Sequence, residues 1–362
     1  MDTAGNAYLA IDADGHVHED AAMFRNYLAP AFRSRAPGLE LNADHAWRFL
    51  FDGVEHPPFP AEISIRKPMT ADDRIKVLEK ERIWSVMLFP SGALVAPYAC
   101  EPAFAQAVLE AYLQWMADYV APFRDRLYFA APVALDDPGW AERQARRAVE
   151  RGARAITVRP NRRAGEVWDD PAYDRFYACV AELGVPLIFH ESTGDPSTAG
   201  ADRYGIRNAA RYAFNHIISH SFEQMFATMS LICGGVLERF PRLRVGMAEA
   251  GCSWVPYWLA RLDDHFGHRV MGRQMPIKLR PSDFFRRQCF VTCEPEDETL
   301  RLAIAGIGAG NILFSTDYPH FDSGGNAVKN FLALEGVTPA DARRILWDNA
   351  AAIYGMTLPA PA

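Results

Sequence analysis

Two histidines one residue apart, His16 and His18, lie in the run Asp12-Ala13-Asp14-Gly15-His16-Val17-His18-Glu19. In extended backbone, residues two apart point to the same face, so the two imidazoles would project together as a chelating pair. A third imidazole, His190, ends the apolar run Pro186-Leu187-Ile188-Phe189, and a carboxylate, Asp317, ends Phe314-Ser315-Thr316. A polar group closing an apolar strand needs a partner, because burying it alone is costly. Three imidazoles and one carboxylate form an N3O donor set that suits Zn2+, with Fe2+ or Mn2+ as alternatives. His16, His18, His190 and Asp317 are therefore the predicted ligands of a divalent metal ion.

Other reactive groups gather near these four. Glu249 ends an apolar strand and is predicted to be catalytic or to hold a second ion; its other reading is a hydrogen-bonding partner for a ligand histidine. One ion and two ions both stay open. Asp14 is read as such a partner, while Asp12 and Glu19 add oxygen donors nearby. His220 could reach the same place and supply an acid, or serve as a cap or core residue. His320, three residues past Asp317, is expected to touch substrate. Arg159 could grip a substrate anion or form a salt bridge beside Pro160. His45, His56, His265 and His268 read as non-catalytic, and Trp254, Tyr257 and Trp258, at helical spacing, as core.

These residues need elements that bring them together. Strand patterns recur at Tyr8–Ala13, Trp84–Phe89, Leu127–Val133, Ala153–Arg159, Val185–His190, Leu243–Glu249, Gln288–Cys293 and Asn311–Asp317, with helical patterns following each. Thr70 reads as an N-cap, and Pro171 and Gly184 bracket another helix. Eight strands alternating with helices predict an α/β fold, a (β/α)8 TIM barrel over residues 1–362 as a single domain. The absence of a G-x-G-x-x-G run after the first strand argues against a dinucleotide-binding sheet. In a barrel, the C-terminal ends of the first, fifth and eighth strands surround one mouth. The insertion after the first strand, residues 30–68, carries Trp47, Phe49, Phe51 and Phe59 and is predicted to be a lid.

The same residues resemble the amidohydrolase superfamily, in its amidohydrolase-related, aminocarboxymuconate-semialdehyde-decarboxylase-like branch. The resemblance runs nearly the full chain. It rests on Asp14-Gly15-His16-Val17-His18, His190, Glu238-Arg239-Phe240-Pro241-Arg242-Leu243-Arg244-Val245, Trp254-Val255-Pro256-Tyr257-Trp258, Ser315-Thr316-Asp317-Tyr318-Pro319-His320 and Asp348-Asn349-Ala350-Ala351. It implies a metal on His16, His18, His190 and Asp317, and allows a homodimer. Two departures stand out. Ala248-Glu249-Ala250 replaces the histidine that decarboxylases of the branch usually carry after the sixth strand. Arg159 stands where members with two metals use a carboxylated lysine.

With 362 residues, 49% of them hydrophobic, the chain can bury a large core. Its net charge of −7 lacks the basic footprint of a nucleic-acid binder. No secretory leader or membrane span is legible. Six scattered cysteines read as reduced thiols, and a cytoplasmic enzyme acting on a small molecule is expected. The carboxylate-rich first strand and Glu249 favour hydrolysis of an ester, thioester, amide or activated C–C bond by metal-activated water. A metal-dependent non-oxidative decarboxylase on the same scaffold is the alternative, and a non-catalytic ligand-binding barrel is the third reading.

Overall fold

The computed structural model describes residues 9–41, 47–56, 60, 63, 65–161, 166–191, 212–321 and 323–358. Tyr8, His45, Phe59 and the predicted helix start at Asn208 lie outside these. Eight strands form one parallel sheet: β1 (Ala10–Val17), β5 (Ile83–Pro90), β6 (Leu127–Pro132), β7 (Ala155–Val158), β8 (Leu187–His190), β9 (Val245–Ala248), β10 (Cys289–Cys293) and β11 (Ile312–Phe314). Each pairs with the next in that order. Helices connect them, among them Ala71–Glu81, Pro102–Val120, Pro138–Glu150, Asp174–Leu183, Tyr212–Cys233 and Trp254–Gly267. The predicted barrel is the observed one.

Nearly every strand residue is buried, as parallel strands covered on both faces require. Inward-facing Ile11, Met87, Phe89, Ile188, Phe290 and Leu313 fill the barrel. Gly246 makes room among them, since a Cβ there would lie 2.5 Å from the Phe290 ring. The ring is nearly closed. Its seam between β1 and the chain after β11 is made by Asp317 N–H to the Asp14 carbonyl (2.9 Å) and His16 N–H to the Tyr318 carbonyl (2.8 Å). Asp12 reinforces it, accepting from Thr316 N (3.0 Å) and Thr316 Oγ1 (2.6 Å).

The insertion after β1 folds as an antiparallel sheet of β2 (Gly38–Leu41), β3 (Trp47–Phe51) and β4 (Val54–Glu55). Leu39, Phe49 and Phe51 are buried, and Arg35, paired with Asp52 inside the insertion (2.5 Å), ties it to Glu101 (2.6 Å). The helix Gly92–Ala99, not apparent from the sequence, follows β5 directly. Glu19 caps it, accepting from the backbone N–H groups of Gly92 (2.9 Å) and Ala93 (3.0 Å). Asp12 and Glu19, expected as oxygen donors at the mouth, are thus structural anchors. Thr70 caps its helix as predicted, accepting from Asp73 N. Tyr257 corrects the core reading of the aromatic trio: it is 64% exposed. All six cysteines are free thiols. Among the described residues, no helix is long and apolar enough to cross a membrane.

Candidate metal centre

β1 delivers Asp14 and His16, two residues apart on one face, to the barrel mouth. β8 delivers His190 from its last position. Asp317 comes from the turn beyond β11, where its φ of 54° places a non-glycine residue in the left-handed region. Glu249, just past β9, has the same unusual conformation at φ 57°. Strain of this kind persists only where surrounding contacts enforce it, and it concentrates at functional sites.

Three donor atoms converge, and a fourth lies beside one of them. His16 Nε2 lies 3.1 Å from His190 Nε2, 3.3 Å from Asp317 Oδ1 and 3.6 Å from Asp14 Oδ1. His190 Nε2 is 3.2 Å from Asp14 Oδ1. Ligand bonds of about 2.1 Å place neighbouring donors roughly 3 to 3.5 Å apart, so Asp14, His16 and His190 are spaced for a single divalent cation, with Asp317 Oδ1 adjacent through His16 Nε2. The tautomers agree. His16 Nδ1 faces the Pro90 carbonyl (3.2 Å) and His190 Nδ1 faces the Glu191 carbonyl (2.8 Å). Carbonyls only accept, so each Nδ1 carries hydrogen, and a ring that is neutral turns its Nε2 lone pair inward. Two Nε2 atoms at 3.1 Å suit a cation between them. Asp14 Oδ2 is also buried without a hydrogen-bond partner. The residues present therefore fit a divalent metal.

His18 is the correction. Its Nδ1 donates to the Arg66 carbonyl at 2.6 Å, and it belongs to neither group of potential ligands found among the described residues. Those groups are Asp14, His16 and His190, and His16, Glu249, Asp317 and His320. Successive same-face residues are separated by about 6.6 Å along a strand. One such pair can close on an ion; three in a row cannot. His190 and Asp317 meet β1 at the level of residues 14 and 16, which leaves His18 one step further out. The signal for Asp14 was available, because D-x-H has the same spacing as H-x-H.

A layer of charge surrounds this group. Glu249 lies 3.4 Å from His190 Nδ1, 3.5 Å from His220 Nε2 and 3.7 Å from His320 Nδ1. Burial works to raise its pKa, but His220 and His320 prevail and hold it well below the carboxylate range. His220 shifts the other way: burial lowers it, Glu249 outweighs burial, and it is pushed up to about 9. His190 is likewise pushed up to about 9, against burial, by Asp14 and Glu249. His16 is driven well below its usual value by burial and by its imidazole neighbours. Burial lifts Asp317 well above the carboxylate range, with His320 Nδ1 2.7 Å from its Oδ1.

His220 thus reaches the mouth, and His320 stacks on His16 at 4.0 Å between ring centroids. Two groups were missed. Ser91 Oγ lies 3.3 Å from both His16 Nδ1 and His320 Nε2. His216, one helical turn before His220, stacks on it at 4.1 Å; the H-x-x-x-H spacing could have shown it. Arg159 is 3.3 Å from Glu191 in a fully buried ion pair, not the surface salt bridge considered from the sequence. His265 bonds within its own helix, to the Arg261 carbonyl. Beside the metal group opens a cleft of about 680 Å³ lined by His216, His220, Glu249, Trp254 and Asp317. Trp254, expected in the core, is one of its walls.

Comparison with known proteins accords with this geometry. A family model described as Amidohydrolase matches residues 89–356. The gamma-resorcylate decarboxylase of Polaromonas sp. strain JS666 is 26% identical over 292 residues, covering 78% of this chain and 86% of that protein. An amidohydrolase structure from Mycobacterium avium subsp. paratuberculosis K-10 superposes with a TM-score of 0.78 at 22% identity, covering 96% of this chain and 99% of the other. The dihydroxybenzoic acid decarboxylase of Polaromonas sp. JS666, solved with manganese and 2-nitroresorcinol, gives 0.71 at 20% identity, with 97% of each chain covered.

Proposed function

This chain belongs to the amidohydrolase family, and from that premise we propose that it is a metal-dependent decarboxylase of a small hydroxylated aromatic acid. Asp14, His16, His190 and Asp317 would hold the ion. Two carboxylates and two imidazoles make a harder donor set than the N3O set expected from the sequence, and that suits Mn2+ or Fe2+ as well as Zn2+. When bound, the ion supplies positive charge that fixes the substrate's carboxylate and polarises its neighbouring oxygen.

The observation that carries this reading is the pairing of Asp317 with His320 beside the metal group. Decarboxylation replaces a C–CO2 bond by a C–H bond and needs an acid beside the carbon, whereas hydrolysis needs a base free to take a proton from water. Burial favours the protonated form of Asp317, and His320 at 2.7 Å can replenish its proton. Asp317 gives that proton to the ring carbon bearing the carboxylate. The C–C bond then breaks, its electron pair returns to the ring, and CO2 leaves. Glu249 was the main argument for hydrolysis, but its carboxylate is engaged by His190, His220 and His320. It balances charge and is not a free base. The decarboxylase activity named for the Polaromonas relative supports the same direction. The β2–β4 insertion packs Phe49 6.0 Å from the His18 ring.

The test is a panel of hydroxybenzoates, beginning with gamma-resorcylate, turned over in D2O by the metal-loaded enzyme. The expected result is CO2 release with one deuterium on the product ring. Asp317→Asn should lower kcat at least 10²- to 10⁴-fold, as loss of a general acid does. Incorporation of ¹⁸O from labelled water without CO2 release would return the hydrolase reading.

A further inference from the structure

We propose that His18 is a specificity-determining residue, its Nε2 accepting a hydrogen bond from a hydroxyl on the substrate ring. The inference rests on the aromatic-acid reading above but is tested apart from turnover. His18 follows His16 on the same face of the chain, one strand step further towards solvent. Its Nδ1–H is committed to the Arg66 carbonyl at 2.6 Å, so in the neutral ring Nε2 is an acceptor. That nitrogen is buried and has no hydrogen-bond partner. A buried polar atom without a partner is costly, and one held in place by a fixed tautomer at a reaction centre calls for an external donor.

The surroundings identify that donor. The His18 ring lies nearly parallel to His320 (5.8 Å, 15°), and His320 lies over His16 (4.0 Å, 30°). The three imidazoles thus form a column leading outward from the metal group, with Phe49 edge-on to the outermost ring. A substrate whose carboxylate is held at the metal group would present its ring along this column. Around His18 stand the flat rings of Phe49 and His320 and the charges of Arg66 and Arg74. The flat rings suit an aromatic ring, and Nε2 itself, an acceptor, takes an O–H and has no hydrogen for the oxygen of an ether.

The experiment measures binding, by calorimetry on metal-loaded enzyme, of 2-, 3- and 4-hydroxybenzoate against the matching methoxybenzoates. The parent should prefer at least one hydroxy compound by about tenfold. His18→Asn can keep the bond to Arg66 through its amide nitrogen but lacks the Nε2 acceptor. It should keep parental metal content and Tm, lose that preference, and in turnover raise KM with little change in kcat. His18→Phe, which keeps the ring, should also lose the preference. A parent that prefers no hydroxy compound, or a His18→Asn enzyme that keeps the preference, overturns the inference. Failure of the decarboxylase reading would appear separately, as ligands that bind with the stated preference and release no CO2.

Discussion

Two imidazole Nε2 atoms 3.1 Å apart, each ring fixed by a carbonyl at its Nδ1, set the chemistry at the scale of the residue. Asp14 belongs with them. Asp14→Ala is expected to weaken metal binding by more than the 10- to 100-fold that follows loss of an outer partner, as should His16→Ala. His18→Asn should leave metal stoichiometry intact; elemental analysis of the three variants checks the ordering. Gly15 stands between the two ligands because a Cβ there would meet Val86 Cγ2 at 2.8 Å and Asp12 Oδ2 at 3.2 Å. Gly15→Ala should therefore cost about 1–3 kcal/mol, read as a shift in the urea midpoint. His16, His190 and Asp317 could be found from the sequence because each closes or follows an apolar run. The choice between Asp14 and His18 could not, because two overlapping pairs on one strand have the same spacing. Only the height at which β8 and the chain after β11 meet β1 decides between them. The left-handed backbone at Glu249 and Asp317 left no trace in residue type, since neither is glycine.

At the scale of the element, the barrel strands were legible because each is a short apolar run punctuated by Pro, Gly or charge. Their ends shifted by a residue or two, and β11 proved shortest: its pairing stops at Phe314 so that the next residues can turn Asp317 into the mouth. The insertion was harder. Trp47-Arg48-Phe49-Leu50-Phe51 contains a charge that reads as solvent-facing, yet Arg48 is buried against Glu55 at 3.1 Å. That pairing turns the segment into a strand whose Phe49 ring reaches Gly92 and the edge of His18. Phe49→Ala should cost about 3 kcal/mol, within the usual range for a buried phenylalanine. Because Phe49 also flanks His18, it should raise KM more than it lowers kcat. Thermal denaturation and steady-state kinetics on the same preparation check the two effects together. A loss of stability without a change in KM would mean that the insertion only covers the core.

At the scale of the whole molecule, the barrel closes on a carboxyl group, and this makes closure depend on pH. Asp12 joins β1 to Thr316, and Glu19 joins the end of β1 to the helix after β5; burial raises both to about 7 despite their hydrogen bonds. A carboxyl whose pKa is higher in the folded state binds its proton more tightly there than in the unfolded chain, where values near 4 apply. Its contribution is complete below about pH 4 and is lost as pH rises through 7. Between pH 5 and pH 8 the protein should therefore lose stability steadily, with most of the fall complete by about pH 7. Asp12→Asn keeps an acceptor for Thr316 N and removes the titration, so its Tm should fall less across that interval than the parent's. The slope that remains belongs to Glu19 and to the site groups that are also raised, Asp317, His190, His220 and His320. Equal slopes in parent and variant, measured with metal in constant excess, would mean that Asp12 stays ionised in the fold. The three donors at its oxygens, Thr316 N, Thr316 Oγ1 and Asp14 N, would then outweigh its burial, and the seam would be held by a charge.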